Sequence, residues 1–146
     1  MTNDENPDNP VGAIYPVGEK QPERVRTRTG RPLRDLTLEN LLAGHVTASD
    51  FGITAEGLRL QAAIAERAGR PILAQNLRRG AELVEIPDNV LLDVYELLRP
   101  GRAQSADDLR DAADQLRDSY GAKETASLLE EAALVYERRG IFQRRF

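Results

Sequence analysis

The side chains able to do acid–base, nucleophilic or metal chemistry are few in this 146-residue chain, and they stand apart from one another. His45 is the single histidine and directly follows Gly44. A metal site needs a second imidazole or a thiolate to share the ion, and no such partner exists here. Asp107/Asp108 and Glu130/Glu131 are adjacent carboxylates. Neighbouring positions on a helix point in different directions, so these read as solvated faces rather than acid–base dyads. Ser49, Ser105, Ser119 and Ser127 have no adjacent base to activate a hydroxyl. The glycines are scattered as punctuation instead of being gathered in a phosphate-cradling loop. The chain has no cysteine, which excludes thiolate nucleophiles, disulfides and cysteine-ligated zinc or iron–sulfur centres. No catalytic, cofactor-binding or metal-binding residue is expected in this chain.

The elements that would have to position a site are helical. Thr37 can cap a short helix over Leu38 to Ala43, with Gly44 suited to a left-handed stop. Asp50 is placed to cap or pin the turn that follows. Thr54 starts a longer helix, with Glu56 in its first turn, Ile53 placed to staple onto Leu58, and Leu58, Ala62 and Ala65 on one face. Gly69 ends it and Pro71 opens the next, whose apolar stripe reads Ile72, Leu73, Leu77, Ala81 and Val84. Pro87 begins a helix carrying Leu91, Val94, Tyr95 and Leu98, closed by Pro100 and Gly101. Ser105 caps a helix with Asp107 and Asp108 over its positive end, and Leu109, Ala112, Ala113, Leu116 and Tyr120 repeat at helical spacing. After the break at Gly121, Ala126, Leu129, Ala133 and Tyr136 carry the last amphipathic helix. No period of two persists, so the fold class is all-α: a small bundle of five or so helices behind a long extended N-terminal arm.

That arm covers residues 1–35 and holds Pro7, Pro10, Pro16, Pro22 and Pro32, spaced so that no helix is expected between them. The helical domain spans 36–140, and a basic tail covers 141–146. Lys20, Arg24, Arg26, Arg28, Arg31 and Arg34 make the arm basic, although the chain as a whole is acidic at −4. Two readings of this basic stretch carry equal weight, solvated surface and docking on an acidic protein surface. Nucleic acid is disfavoured, because no aromatic residues interleave with the arginines to stack on bases. Tyr15, beside Pro16, is the leading candidate for an anchor. Helical faces rich in alanine, with three Phe and no Trp, bury little apolar area per residue and favour a chain that leans on a partner. Nothing approaches the run of about eighteen apolar residues that a membrane span needs. The first ten residues lack the charge pattern of a secretory signal.

The stretch Gly80-Ala81-Glu82-Leu83-Val84-Glu85-Ile86-Pro87-Asp88, running on to Tyr95-Glu96-Leu97-Leu98-Arg99-Pro100, resembles the small (gamma) subunit of the adenosylcobalamin-dependent diol and glycerol dehydratases. The likeness extends from about Tyr15 to Arg139. It includes Tyr15-Pro16, Thr29-Gly30-Arg31-Pro32-Leu33, Leu36-Thr37-Leu38-Glu39-Asn40, Arg70, Asn76, Arg79 and Glu131-Ala132-Ala133. The resemblance implies a non-catalytic subunit that packs on a large subunit and supports assembly of a dimer of heterotrimers with large and medium subunits. Those two subunits would hold adenosylcobalamin for the radical dehydration of a 1,2-diol or glycerol to the aldehyde. The Asp-x-His-x-x-Gly element that ligates cobalamin is absent from this sequence. On this resemblance the arm becomes a strap over the large subunit. The candidate interface residues are Tyr15, Pro16, Arg24, Arg26, Arg31, Tyr95 and Arg99, with neither nucleic acid nor membrane as partner.

Two departures stand out. Glu130 occupies a position where the family carries Arg, and the first ten residues lack the amphipathic helix that sends some members into bacterial microcompartments. A cytoplasmic location is therefore expected. The competing reading is a free helical adaptor or regulator whose basic arm binds an acidic partner.

Overall fold

The computed structural model describes residues 14–142. The expectations placed on the first ten residues, and residues 143–146 of the basic tail, lie outside them. Seven α-helices and no strand occur among the described residues: α1 (Val17–Lys20), α2 (Leu38–Leu42), α3 (Ala55–Arg67), α4 (Pro71–Glu85), α5 (Asp88–Leu98), α6 (Ala106–Tyr120) and α7 (Lys123–Arg139). The all-α reading holds. The chain divides into two compact units, Met1–Ala81 and Glu82–Phe146.

In the first unit the arm runs as extended residues punctuated by one-turn helices. The expectation that no helix fits between its prolines is corrected by α1, and 3-10 turns occupy Pro22–Arg24 and Leu33–Asp35. The prolines permit this because of where they fall. Pro16 and Pro32 are N-cap residues and Pro22 is the first residue of its turn, where a missing N–H costs nothing. Between them the chain doubles back through an isolated bridge, Arg26 with Pro32. The Thr27 N–H donates to Arg31 O at 2.9 Å and the Leu33 N–H to Val25 O at 3.1 Å. Gly30 turns the corner at φ 88°, a conformation that other residues adopt with strain.

Helices α2 and α3 start where their threonines cap them. The Asn40 N–H donates to Thr37 Oγ1 at 3.2 Å and the Gly57 N–H to Thr54 Oγ1 at 3.1 Å. The core of this unit is a seam of alanines: Ala62 and Ala65 on α3 meet Ala74 on α4, with Leu77 half-buried against them. This corrects the stripe expected on α4. Ala74 and Ala81 are its buried positions, whereas Ile72 is 76% exposed, and Leu73 and Val84 are exposed too. Small side chains let the helix faces approach closely, so the seam follows alanine, and the larger residues one and two places away are turned outward.

The second unit is built on the α6–α7 pair. Leu109, Leu116 and Leu129 are its largest fully buried side chains, interleaved with Ala113, Ala126 and Ala133. Ile86 and Val94 close the same core. Ser105 caps α6 through the Asp108 N–H at 3.3 Å, and the Asp108 carboxylate accepts from the Ser105 N–H at 3.1 Å, a reciprocal capping box. Gly121 ends α6 in the left-handed conformation at φ 63°. At the far end, the Tyr136 hydroxyl donates to Leu98 O at 2.5 Å, and the Phe142 ring meets Tyr136 edge-on at 5.8 Å. The tail therefore begins packed on this unit.

Candidate partner interface

The basic loop of the arm is held by one buried carboxylate. Asp50, at the end of the 3-10 turn Ala48–Phe51, is 4% exposed. Its Oδ2 accepts from the Thr47 N–H at 2.8 Å and from Thr47 Oγ1 at 3.3 Å. Its Oδ1 accepts from Thr27 Oγ1 at 3.1 Å and from the Thr29 hydroxyl, with Arg31 Nε 3.6 Å away. Chiefly through the Thr29 hydroxyl, then the Thr47 N–H, these donors hold its pKa at about 2. Asp50 was expected to pin its own turn. It also holds Thr27 and Thr29, more than twenty residues earlier in the chain, and meets Arg31 of the same loop.

Four of the seven expected interface residues come together beside this loop. Tyr15, Pro16, Arg24 and Arg26 line one hollow of about 360 Å3 on the first unit. Tyr15 is 63% exposed and also borders a second hollow of about 470 Å3, lined by Ile64, Ala68, Leu77 and Arg70 among others. Arg31 lies apart from both, engaged with Asp50. Arg70, which the interface reading left out, was present only as one residue of the family wording.

Tyr95 and Arg99 belong to the second unit. Tyr95 is 63% exposed on α5, one turn from the equally exposed Leu92. Arg99 Nη1 donates to Glu96 at 2.8 Å, and Glu96 also meets Arg102 at 3.4 Å. The Glu96 carboxylate, through its hydrogen bond and its charge, raises the Arg99 pKa.

The residues considered for chemistry take structural positions. His45 is exposed behind α2. Asp108 caps α6, and the Gln104 and Ser105 N–H groups lower its pKa. Asp107 pairs with Arg110 at 2.8 Å. Glu130, the reversed charge on the last helix, accepts from Arg117 Nη2 at 2.5 Å, so it is answered inside the chain. Among the described residues no three His, Asp or Glu side chains gather as a metal site, and no helix is long and apolar enough to cross a membrane.

Residues 12–143 match the dehydratase small-subunit family. The propanediol dehydratase small subunit of Citrobacter freundii is 49% identical over 125 residues, covering 86% of this chain and 72% of that protein. The subunit of the same name from Salmonella typhimurium (strain LT2) is 48% identical over the same shares. A match running from the arm, through the Tyr15 hollows and α5, to the Tyr136–Phe142 contact takes in both units, and this chain belongs to the dehydratase small-subunit family.

Proposed function

We propose that this chain is the non-catalytic small subunit of an adenosylcobalamin-dependent dehydratase that converts a 1,2-diol or glycerol to an aldehyde and water. Its role is to assemble and stabilise a complex with large and medium subunits, arranged as a dimer of heterotrimers in the cytoplasm. The observation that carries this reading is a pairing. The chain's relatives are named as dehydratase small subunits, and many of its own large apolar side chains are turned outward. Leu38, Leu42, Phe51, Ile53, Ile72 and Tyr15 are each at least 60% exposed on the first unit, as are Leu92, Tyr95 and Leu134 on the second. Apolar surface of this extent suits a chain that is covered in an assembly.

The residues present do not fit the cofactor. The one imidazole that could meet the metal of such a cofactor, His45, stands exposed in the bend after α2. In this reading adenosylcobalamin supplies its radical chemistry from the other subunits, and no step is assigned to this chain.

Co-expression with the large and medium subunits, with and without this chain, tests the reading. Aldehyde formation from 1,2-propanediol and glycerol in the presence of adenosylcobalamin is expected only when all three chains are present. Full activity without this chain would overturn it.

A further inference from the structure

We infer that the twin hollows around Tyr15 receive an extended segment of a partner subunit in which an apolar side chain is flanked by carboxylates. This rests on the reading of the chain as an assembling subunit and names the chemistry of one of its contacts.

The two hollows share Tyr15, Gln61 and Ile64, so they are neighbours along one face of α3. Along α3 their linings reach from Glu56 to Ala68, about 18 Å, which is the length of about five extended residues. The apolar lining includes Leu60 and Ile64 in one hollow and Ile64, Ala68 and Leu77 in the other. The first hollow is lined by Arg24 and Arg26, and the second by Arg70.

The charge at these hollows is unbalanced. Arg26 Nη1 donates to Gly30 O at 2.9 Å, which holds the side chain in place without neutralising it. Among the described residues neither Arg26 nor Arg70 has a carboxylate partner, whereas Arg99, Arg102, Arg110 and Arg117 of the second unit all do. Glu56 is the single carboxylate lining either hollow. Over residues 14–81 the chain has eleven Lys and Arg against seven Asp and Glu, although its net charge is −4. An apolar trough between unpaired guanidiniums complements a chain that brings a buried side chain and acidic neighbours. Tyr15, standing between the hollows, supplies a rigid aromatic contact at low entropic cost.

The test is titration of the full-length chain onto the purified large–medium complex at low and high salt, comparing wild type with Arg70→Gln, Arg26→Gln and Arg26→Glu/Arg70→Glu. Each neutral variant is expected to weaken binding by about threefold to tenfold, and the double reversal further, with a flatter salt dependence. Arg70→Gln breaks no bond described within the chain, so an unchanged melting curve accompanies its loss and it decides the matter if the double variant misfolds. Wild type that binds while the variants bind equally well, with the same salt dependence, overturns the inference and leaves the subunit reading intact. Wild type that binds no dehydratase subunit overturns both. Arginine-dependent binding to polynucleotide or to anionic vesicles in place of the subunits would also overturn it.

Discussion

The Glu82 carboxylate caps the helix that begins at Lys123, receiving the Thr125 N–H at 2.8 Å and the Thr125 hydroxyl at 2.7 Å on one oxygen. Its other oxygen accepts from the Glu124 N–H at 2.9 Å. Helix α7 starts from Ala122, whose methyl group cannot cap, so the orphan donors of its first turn are met from a distance in sequence. A negative charge over the helix N-terminus adds to the hydrogen bonds.

Replacing Glu82 with Ala is expected to cost about 1–3 kcal/mol, the range for a lost cap and for hydrogen bonds to a charged group. Urea unfolding measures it. Hydrogen exchange should show the loss first at the start of α7. Equal stability of variant and wild type would mean that water serves these donors as well.

The Asp50 contacts give the first unit an acid-sensitive fastening. The folded pKa of about 2 lies below the ordinary 3.8. Above 3.8 the carboxylate is ionised in both folded and unfolded chains, and its donors contribute in full. As pH falls from 3.8 through 2, the unfolded chain takes up the proton first and the contribution drains away. Asp50→Asn should therefore be less stable than wild type at neutral pH, with the difference shrinking across that window in paired thermal melts. A difference that stays constant with pH would show that the charge of Asp50 contributes nothing.

Side-chain size alone does not decide what holds the second unit. Leu129 is fully buried, whereas Leu134, five residues along the same helix, is 61% exposed. Leu129→Ala is expected to cost about 2–5 kcal/mol, and Leu134→Ala about 0.5 kcal/mol or less in the free chain. Denaturant midpoints of the two variants check this, and a large loss at Leu134 would place a contact over it.

These contrasts mark what the sequence made legible. Caps at Thr37, Thr54 and Ser105 and the stop at Gly121 were readable because each signal acts within about four residues of its source. The buried faces of α3, α6 and α7 followed helical spacing. The α4 face did not, because ranking by hydrophobicity favours Ile72 and Leu73 over Ala74, and close approach of helices favours the reverse. Glu82 was unreadable as a cap, since Thr125 lies forty-three residues away, and so was the reach of Asp50 back to Thr27. Of the candidate interface, Tyr15, Pro16, Arg24 and Arg26 were legible as a group from their closeness in the chain. Arg70 needed the fold to bring it beside Tyr15.

Tyr95 and His45 offer a paired test of which exposed surface serves assembly. Both are exposed, but Tyr95 stands with Leu92 on an apolar face. Tyr95→Ala should leave the melting curve of the free chain unchanged and lower the yield of assembled enzyme at limiting subunit concentration. His45→Ala should do neither. Equal yields from both variants, measured by size exclusion with aldehyde assay, would remove α5 from the interface.

Arg117 and Glu130 give the sharpest test of a charge pair between α6 and α7. Arg117 Nη2 meets Glu130 at 2.5 Å while its Nη1 donates to Asp114 at 2.9 Å, and Glu130 leads the causes that raise the guanidinium pKa. Glu130→Arg would set two guanidiniums against each other between α6 and α7, so the variant should melt at a lower temperature than wild type. Reversing both, Arg117→Glu with Glu130→Arg, restores opposite charges across the helix pair and should recover most of the loss, although the carboxylate introduced on α6 then faces Asp114. The recovery should shrink at high salt, because both side chains are partly open to solvent. A single reversal that melts with wild type would mean that the pair contributes nothing to the fold. A double reversal no better than the single would assign the loss at Glu130 to packing rather than charge.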